Sequence, residues 1–171
     1  MSATLEVKLF MEYFKQSTMV KISGRQFPVQ ILYTTQPEQD IIEAALLTCL
    51  QIHEEEEGSG GVLVFLPGQE DIESLHLLLE QHLQLLQTDT ASTGRILPQY
   101  ALHPLYAALS SDEQMRAFQP APAGTRKFVL ATNIAETSVT ISGIRYVVDP
   151  GKMKSRCMHP YTGADMLQVM P

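Results

Sequence analysis

Apolar positions along the chain follow two periods. In residues 38–53, Ile42, Ala45, Leu46, Cys49, Leu50 and His53 recur at helical spacing, and Ile72, Leu75, Leu79, Leu83 and Leu86 do the same further on. Each stretch predicts an amphipathic helix. Short stretches alternate with them, at 61–66, at 126–130 around the apolar run Phe128-Val129-Leu130, and at 144–149, and predict buried strands. Residues 5–14 predict a short helix with Leu5, Phe10 and Tyr13 or Phe14 as apolar contacts. Residues 20–22 and 29–33 predict strands around a turn at Gly24, with Pro28 restricting that region to an edge or a strand start. A further strand is expected at 95–102, after a polar loop at 88–94. Ser111 and Gln114 have capping-box spacing and set the start of a helix that runs to about Phe118, where Pro120 and Pro122 stop it. Residues 152–169 predict a β-hairpin turning at Pro160-Tyr161-Thr162-Gly163. Strands alternating with helices make this an α/β chain.

Composition narrows the class. At 171 residues the chain is one domain by length, with a core large enough to need no metal or disulfide. Its 44% hydrophobic and 18% charged residues fit a globular α/β protein and exclude disorder. The longest unbroken apolar run, 62–66, is far too short to span a bilayer, so no membrane partner is expected. Cys49 and Cys157 lie far apart without paired-ligand spacing, which predicts reduced thiols in the cytosol or nucleus and no metal site. The formal charge of −7 and pI near 5.1 argue against binding nucleic acid through bulk charge. Any strand contact must then be local, made by backbone amides, hydroxyls and a few bases. Glu54 to Glu57 read as a solvated helix end and loop. Lys152, Lys154 and Arg156 alternate with period two and share one face of the first hairpin arm, either as a basic stripe or as a lysine-protected strand edge.

Candidate chemistry sits where strands end. Ala131-Thr132-Asn133-Ile134-Ala135-Glu136-Thr137-Ser138-Val139-Thr140-Ile141 follows the run Phe128-Val129-Leu130. Hydroxyls and amides packed this densely make poor core, since each needs a hydrogen-bond partner when buried. They suit a ligand at the carboxyl end of a strand, although capping the next helical turn explains them as well. Val64-Phe65-Leu66-Pro67-Gly68-Gln69-Glu70-Asp71-Ile72 joins a strand to a helix whose first turn is acidic, and N–H groups converge at such a junction. An ordinary turn is the plainer alternative. The Gly58-Ser59-Gly60-Gly61 break is no phosphate loop, because no Gly-Lys-Ser/Thr follows it.

The strings at 131–141 and 64–72 closely resemble motifs V and IV of the DEAH-box RNA helicases. Ser2-Ala3-Thr4 matches motif III, and Ser23-Gly24-Arg25-Gln26-Phe27-Pro28-Val29 resembles the family's approach to the second motor domain. The resemblance implies a RecA-like parallel sheet flanked by helices, with a C-terminal β-hairpin inserted between motifs V and VI. It places the end of the first RecA-like domain and a linker in 1–27. The second RecA-like domain occupies 28–171, truncated before the arginine motif, with the hairpin at about 152–169.

Carried over by position, Gly68 and Gln69 would meet the RNA backbone, and Thr132 and Asn133 would hold RNA phosphates through hydroxyl and N–H groups. Lys152, Lys154 and Arg156 would grip the strand from the hairpin. Ser138 and Thr140 would sense nucleotide state or position water. Phe118, otherwise a core aromatic, would stack on adenine. Ser2, Ala3 and Thr4 would couple the hydrolysis site to this domain. Ser142 stands where the family commonly has an Asp on the nucleotide ribose, and a neutral hydroxyl is the weaker acceptor.

The chain contains no Walker A sequence, no DEAH-type tetrad and no paired-arginine motif. Phosphoryl transfer needs a phosphate cradle, a metal-holding carboxylate and a cationic finger. The fragment alone is therefore expected to be inactive. ATP and Mg2+, the ion held by the first domain, are the implied cofactors. RNA, the first RecA-like and C-terminal helicase domains of the same chain and an activator protein are the implied partners, in the nucleus or nucleolus or else the cytoplasm. The full protein is expected to couple ATP binding and hydrolysis to RNA translocation or unwinding. The alternative is a catalytically inactive RNA- or protein-binding platform, motivated by Ser142. A free-standing Rossmann-type enzyme has no dinucleotide fingerprint to support it.

Overall fold

The computed structural model describes residues 7–15, 18–20, 27–93, 96–133, 140–158 and 165–170. The chain divides into two units, Met1–Pro37 and Glu38–Pro171. In the first, helix α1 (Val7–Tyr13) has no buried residue. Its aromatic residues touch one another instead, Phe10 stacking on Phe14 at 6.3 Å and Tyr13 meeting Phe14 edge-on at 4.8 Å. Residues 29–33 form no strand. Val29 and Tyr33 are 81% and 87% exposed. Apolar alternation alone does not make a strand, because its N–H and C=O groups need a ladder partner. Val20 is likewise in no strand, and the rest of the 20–22 expectation lies outside the described residues.

In the second unit, α2 (Ile41–Glu55), β1 (Gly61–Phe65), α3 (Gln69–Thr93), β2 (Gln99–Leu105), α4 (Ser111–Phe118), β3 (Thr125–Ala131) and β4 (Ile144–Val148) build the domain. The hairpin β5 (Met153–Met158) and β6 (Asp165–Met170) follows. Strands β2, β3, β1 and β4 lie in that order, and every neighbouring pair is parallel. Alternate residues of the central strands face opposite layers. Val62, Val64, Phe128 and Leu130 pack under α2 and α3 with Cys49, Ile72, Leu75, Leu79 and Leu83. Leu63, Val129 and Ala131 pack on the other face with Leu105, Ala117 and Ile141. The result is the expected parallel sheet flanked by helices, with an antiparallel C-terminal hairpin.

Local chemistry sets the boundaries. Asp40 caps α2, its Oδ1 accepting from the N–H groups of Ile42 at 2.9 Å and Glu43 at 3.1 Å. The expected loop at 88–94 is largely helix, since α3 runs on to Thr93: Thr, Asp and Ser weaken a helix without the force of Gly or Pro. The strand expected at 95–102 is displaced to Gln99–Leu105. It takes in Pro104, because β2 is an edge strand and an edge tolerates a missing donor. The capping box is Ser110 with Glu113, one residue before the expected Ser111 and Gln114. Hydrogen bonds from the Ser110 hydroxyl and N–H hold the Glu113 carboxyl below its usual range. Strand β4 was expected to be buried but is the other edge, with Arg145 and Val147 exposed.

Two cations are buried at the start of β3. Arg126 reaches back under the α2–β1 loop, Nη2 donating to the carbonyls of Glu56 at 2.7 Å and Gly58 at 2.6 Å, and Nη1 to Gly60 at 3.2 Å. Its guanidinium lies 5.5 Å from the Tyr146 ring centroid. Lys127 Nζ donates to the carbonyls of Ala117 at 3.1 Å and Gln119 at 2.9 Å, closing the end of α4, and burial pulls its pKa down. Carbonyl dipoles hold both charges, and the buried Arg126 Nε is left without a hydrogen-bond partner.

Candidate nucleic-acid interface

All four sheet strands run the same way, so their carboxyl ends share one edge of the domain. Phe65 pairs with Ala131, and the Leu66 N–H donates to the Ala131 carbonyl at 2.8 Å. The next residues, Pro67-Gly68-Gln69 and Thr132-Asn133, therefore leave the sheet side by side. The Thr132 N–H donates to the Leu105 carbonyl at 3.2 Å, which joins the end of β2 to the same row. This contact removes one group expected to be free for a ligand. The hydroxyl of half-buried Thr132 and exposed Asn133 are what that turn offers.

The hairpin reaches this edge. After β4, Asp149 Oδ1 accepts from the Gly151 N–H at 2.8 Å, and Gly151 at φ 64 turns the chain into β5. Lys154, on β5, lays its side chain over the β1–α3 turn. A Cβ on Gly68 would stand 2.5 Å from Lys154 Nζ and 3.1 Å from its Cε. The missing side chain at Gly68 is the space that the lysine end fills. Asp71 Oδ2 is 3.4 Å from the same point. The ammonium thus stands over a turn whose first helical residues include Glu70 and Asp71, and offsets their charge against an incoming anion. Lys152 is exposed nearby in sequence, and the backbone of Arg156 continues β5 opposite Leu167.

Gln69 is tied down. Its Nε2 donates to Glu73 Oε1 at 2.8 Å, and the Tyr106 hydroxyl donates to the same oxygen at 3.0 Å. Tyr106 follows directly after β2, so Glu73 bridges the turns of β1 and β2. Burial first, then the bond to Glu73, raise the Tyr106 pKa and keep its proton in place. The four-residue spacing of Gln69 and Glu73 on one helix was readable in the sequence. The part played by Tyr106 was not, because it depends on strand order.

The residues expected to serve the nucleotide lie elsewhere. Phe118 ends α4 half-buried against the cluster of Leu105, Ala117, Val129 and Ile141. Ser142 is exposed beside Gly143, whose carbonyl accepts from the Gly61 N–H at 2.8 Å where β1 begins. That is the amino edge of the sheet, one strand length or roughly 16 Å from the Gly68 turn. Thr140 is exposed, whereas Ser138, Ser2, Ala3 and Thr4 lie outside the described residues. Among the described residues, no three His, Cys, Asp or Glu side chains stand together as a metal site. No helix is long and apolar enough to cross a membrane among them.

Comparison with known proteins fits this geometry. The family profile described as helicase conserved C-terminal domain matches residues 42–168. The chain is 49% identical over 171 residues to the pre-mRNA-splicing factor ATP-dependent RNA helicase DEAH10 of Arabidopsis thaliana, covering 100% of this chain and 23% of that protein. It is 48% identical to the pre-mRNA-splicing factor ATP-dependent RNA helicase prp22 of Schizosaccharomyces pombe, covering 99% of this chain and 14% of that one. The chain thus spans less than a quarter of the length of these relatives. Among solved structures, the Escherichia coli DEAH/RHA helicase HrpB superposes with a TM-score of 0.78 at 37% identity, covering 99% of this chain and 20% of that one. The chain belongs to the helicase conserved C-terminal domain family, as a second RecA-like domain of the DEAH-box group.

Proposed function

We propose that this chain is the second motor domain of an ATP-dependent RNA helicase and grips single-stranded RNA along the carboxyl edge of its sheet. The observation that carries the reading is the convergence of three elements. Turns from adjacent parallel strands, at Gly68-Gln69 and Thr132-Asn133, open side by side. The hairpin brings Lys154 onto the first of them. Hydroxyl, amide and one local cation are what an acidic domain needs for backbone contact without a broad basic surface.

The nucleotide side of the proposal uses the other cluster. Phe118 leaves part of its ring open for adenine, while Ser138 and Thr140 read the state of the nucleotide. Ser142 meets the ribose with a hydroxyl. Magnesium is assigned to the first RecA-like domain of the full-length protein. Ser2, Ala3 and Thr4 transmit closure between the domains. The names of the relatives support ATP and RNA as ligands and, through pre-mRNA splicing, the nucleus as the place of action.

The test is ATP hydrolysis by the full-length protein with and without single-stranded RNA. The proposal expects RNA to stimulate turnover, and Thr132→Ala to weaken that stimulation by about 1 kcal/mol in RNA coupling. Absence of stimulation in the intact protein would overturn the motor reading and leave a binding platform.

A further inference from the structure

We infer that Gln69 reads the ribose 2′-hydroxyl, and that Glu73 and Tyr106 are positioning residues that make it do so. This rests on the nucleic-acid reading of the carboxyl edge and adds to it a choice of sugar. A carboxylate oxygen only accepts, so the Gln69 group facing Glu73 Oε1 at 2.8 Å is the amide NH2. The second N–H of that NH2 stays free as a donor, and the amide oxygen is the acceptor left to a ligand. A phosphate oxygen is itself an acceptor and repels it. A 2′-hydroxyl donates, and DNA has none.

Glu73 is held in turn. The Tyr106 hydroxyl donates to the same oxygen at 3.0 Å from the end of the neighbouring strand, which fixes the carboxylate between two turns. Phosphate is served by Lys154, whose ammonium lies over Gly68, the residue before Gln69. Cation and amide oxygen thus divide the backbone between them, one taking charge and the other the sugar.

The experiment measures binding of the full-length protein to three uridine oligonucleotides at one salt concentration: RNA, 2′-fluoro RNA and DNA. The 2′-fluoro sugar keeps the RNA-like shape and removes the donor. The parent protein is expected to prefer RNA over 2′-fluoro RNA, and Gln69→Ala to reduce that preference by about fivefold, the worth of one neutral hydrogen bond. Glu73→Ala frees the amide to turn its NH2 outward, so the preference falls while 2′-fluoro RNA binds at least as well as before. Tyr106→Phe gives a smaller change in the same direction. Gln69 and Glu73 are surface positions, and matched unfolding midpoints of the variants will separate a specificity effect from misfolding. A preference for RNA over 2′-fluoro RNA that survives undiminished in Gln69→Ala overturns the inference and leaves the RNA interface standing. Failure of the parent to bind RNA at all overturns both.

Discussion

His53 provides a test of the core that needs no ligand. It lies on the last turn of α2 at 1% exposure, its ring 5.9 Å from that of Phe128, and neither ring nitrogen has a hydrogen-bond partner. Burial, and then the neighbouring Arg126 charge, lower its pKa from 6.5 to about 4. The folded state therefore keeps the imidazole neutral while the unfolded chain takes up a proton. Above pH 6.5 neither state is protonated and the histidine adds no pH dependence. Between 6.5 and 4 only the unfolded state binds the proton, so stability falls as pH falls, by about 1.4 kcal/mol per unit. Below the folded pKa both states are protonated and the loss levels off at about 3 kcal/mol. His53→Leu removes the titrating group at little change in volume. Since it also removes two unpartnered polar atoms, its stability at pH 7.5 is expected to lie within about 1 kcal/mol of the parent or above it. Urea unfolding of the two proteins at pH 7.5, 5.5 and 4 should show their stabilities diverging in favour of His53→Leu as pH drops. Parallel pH profiles would refute the reasoning.

Arg126→Met strips the partners from three carbonyls of the α2–β1 loop and is expected to cost about 3 kcal/mol or more in denaturant unfolding; a loss under about 1 kcal/mol would contradict the clamp. Asp40→Ala removes the α2 cap and should cost about 1 kcal/mol by the same measurement. Burial pushes the Cys49 thiol up to about 12, so alkylation of the folded protein at pH 8 should modify Cys157 and spare Cys49 until denaturant is added, as mass spectrometry will show.

Much of the sheet and helix arrangement was legible because burial writes itself as periodicity. Ile72, Leu75, Leu79 and Leu83 announce one face of α3, and each is fully buried. The apolar runs 61–66 and 128–130 announced β1 and β3, the two central strands. What failed was decided by partners distant in the chain. Pro104 looks like a break until β2 is known to be an edge with a single neighbour. Residues 29–33 have the pattern of a strand but no ladder. Arg126 and Lys127 look like solvated charges and are buried, because the carbonyls that hold them belong to a loop and a helix end brought in by the fold.

The candidate site divided in the same way. Motif resemblance picked out Gly68 and Thr132, and parallel pairing brings their turns together. Lys154 was marked by its alternation with Lys152 and Arg156, yet its seat over Gly68 depends on how the hairpin folds back. The Gln69, Glu73 and Tyr106 set crosses from one strand end to another, and no local pattern encodes it.

The most direct test of a shared RNA surface is hydrogen exchange of the full-length protein with and without single-stranded RNA. Slowed exchange is predicted together at residues 68–71, 132–133 and 152–154, with 56–61 and 142–143 at the opposite edge of the sheet unchanged. Slowing confined to that opposite edge, or at the 68–71 turn without the 132–133 turn, would contradict it.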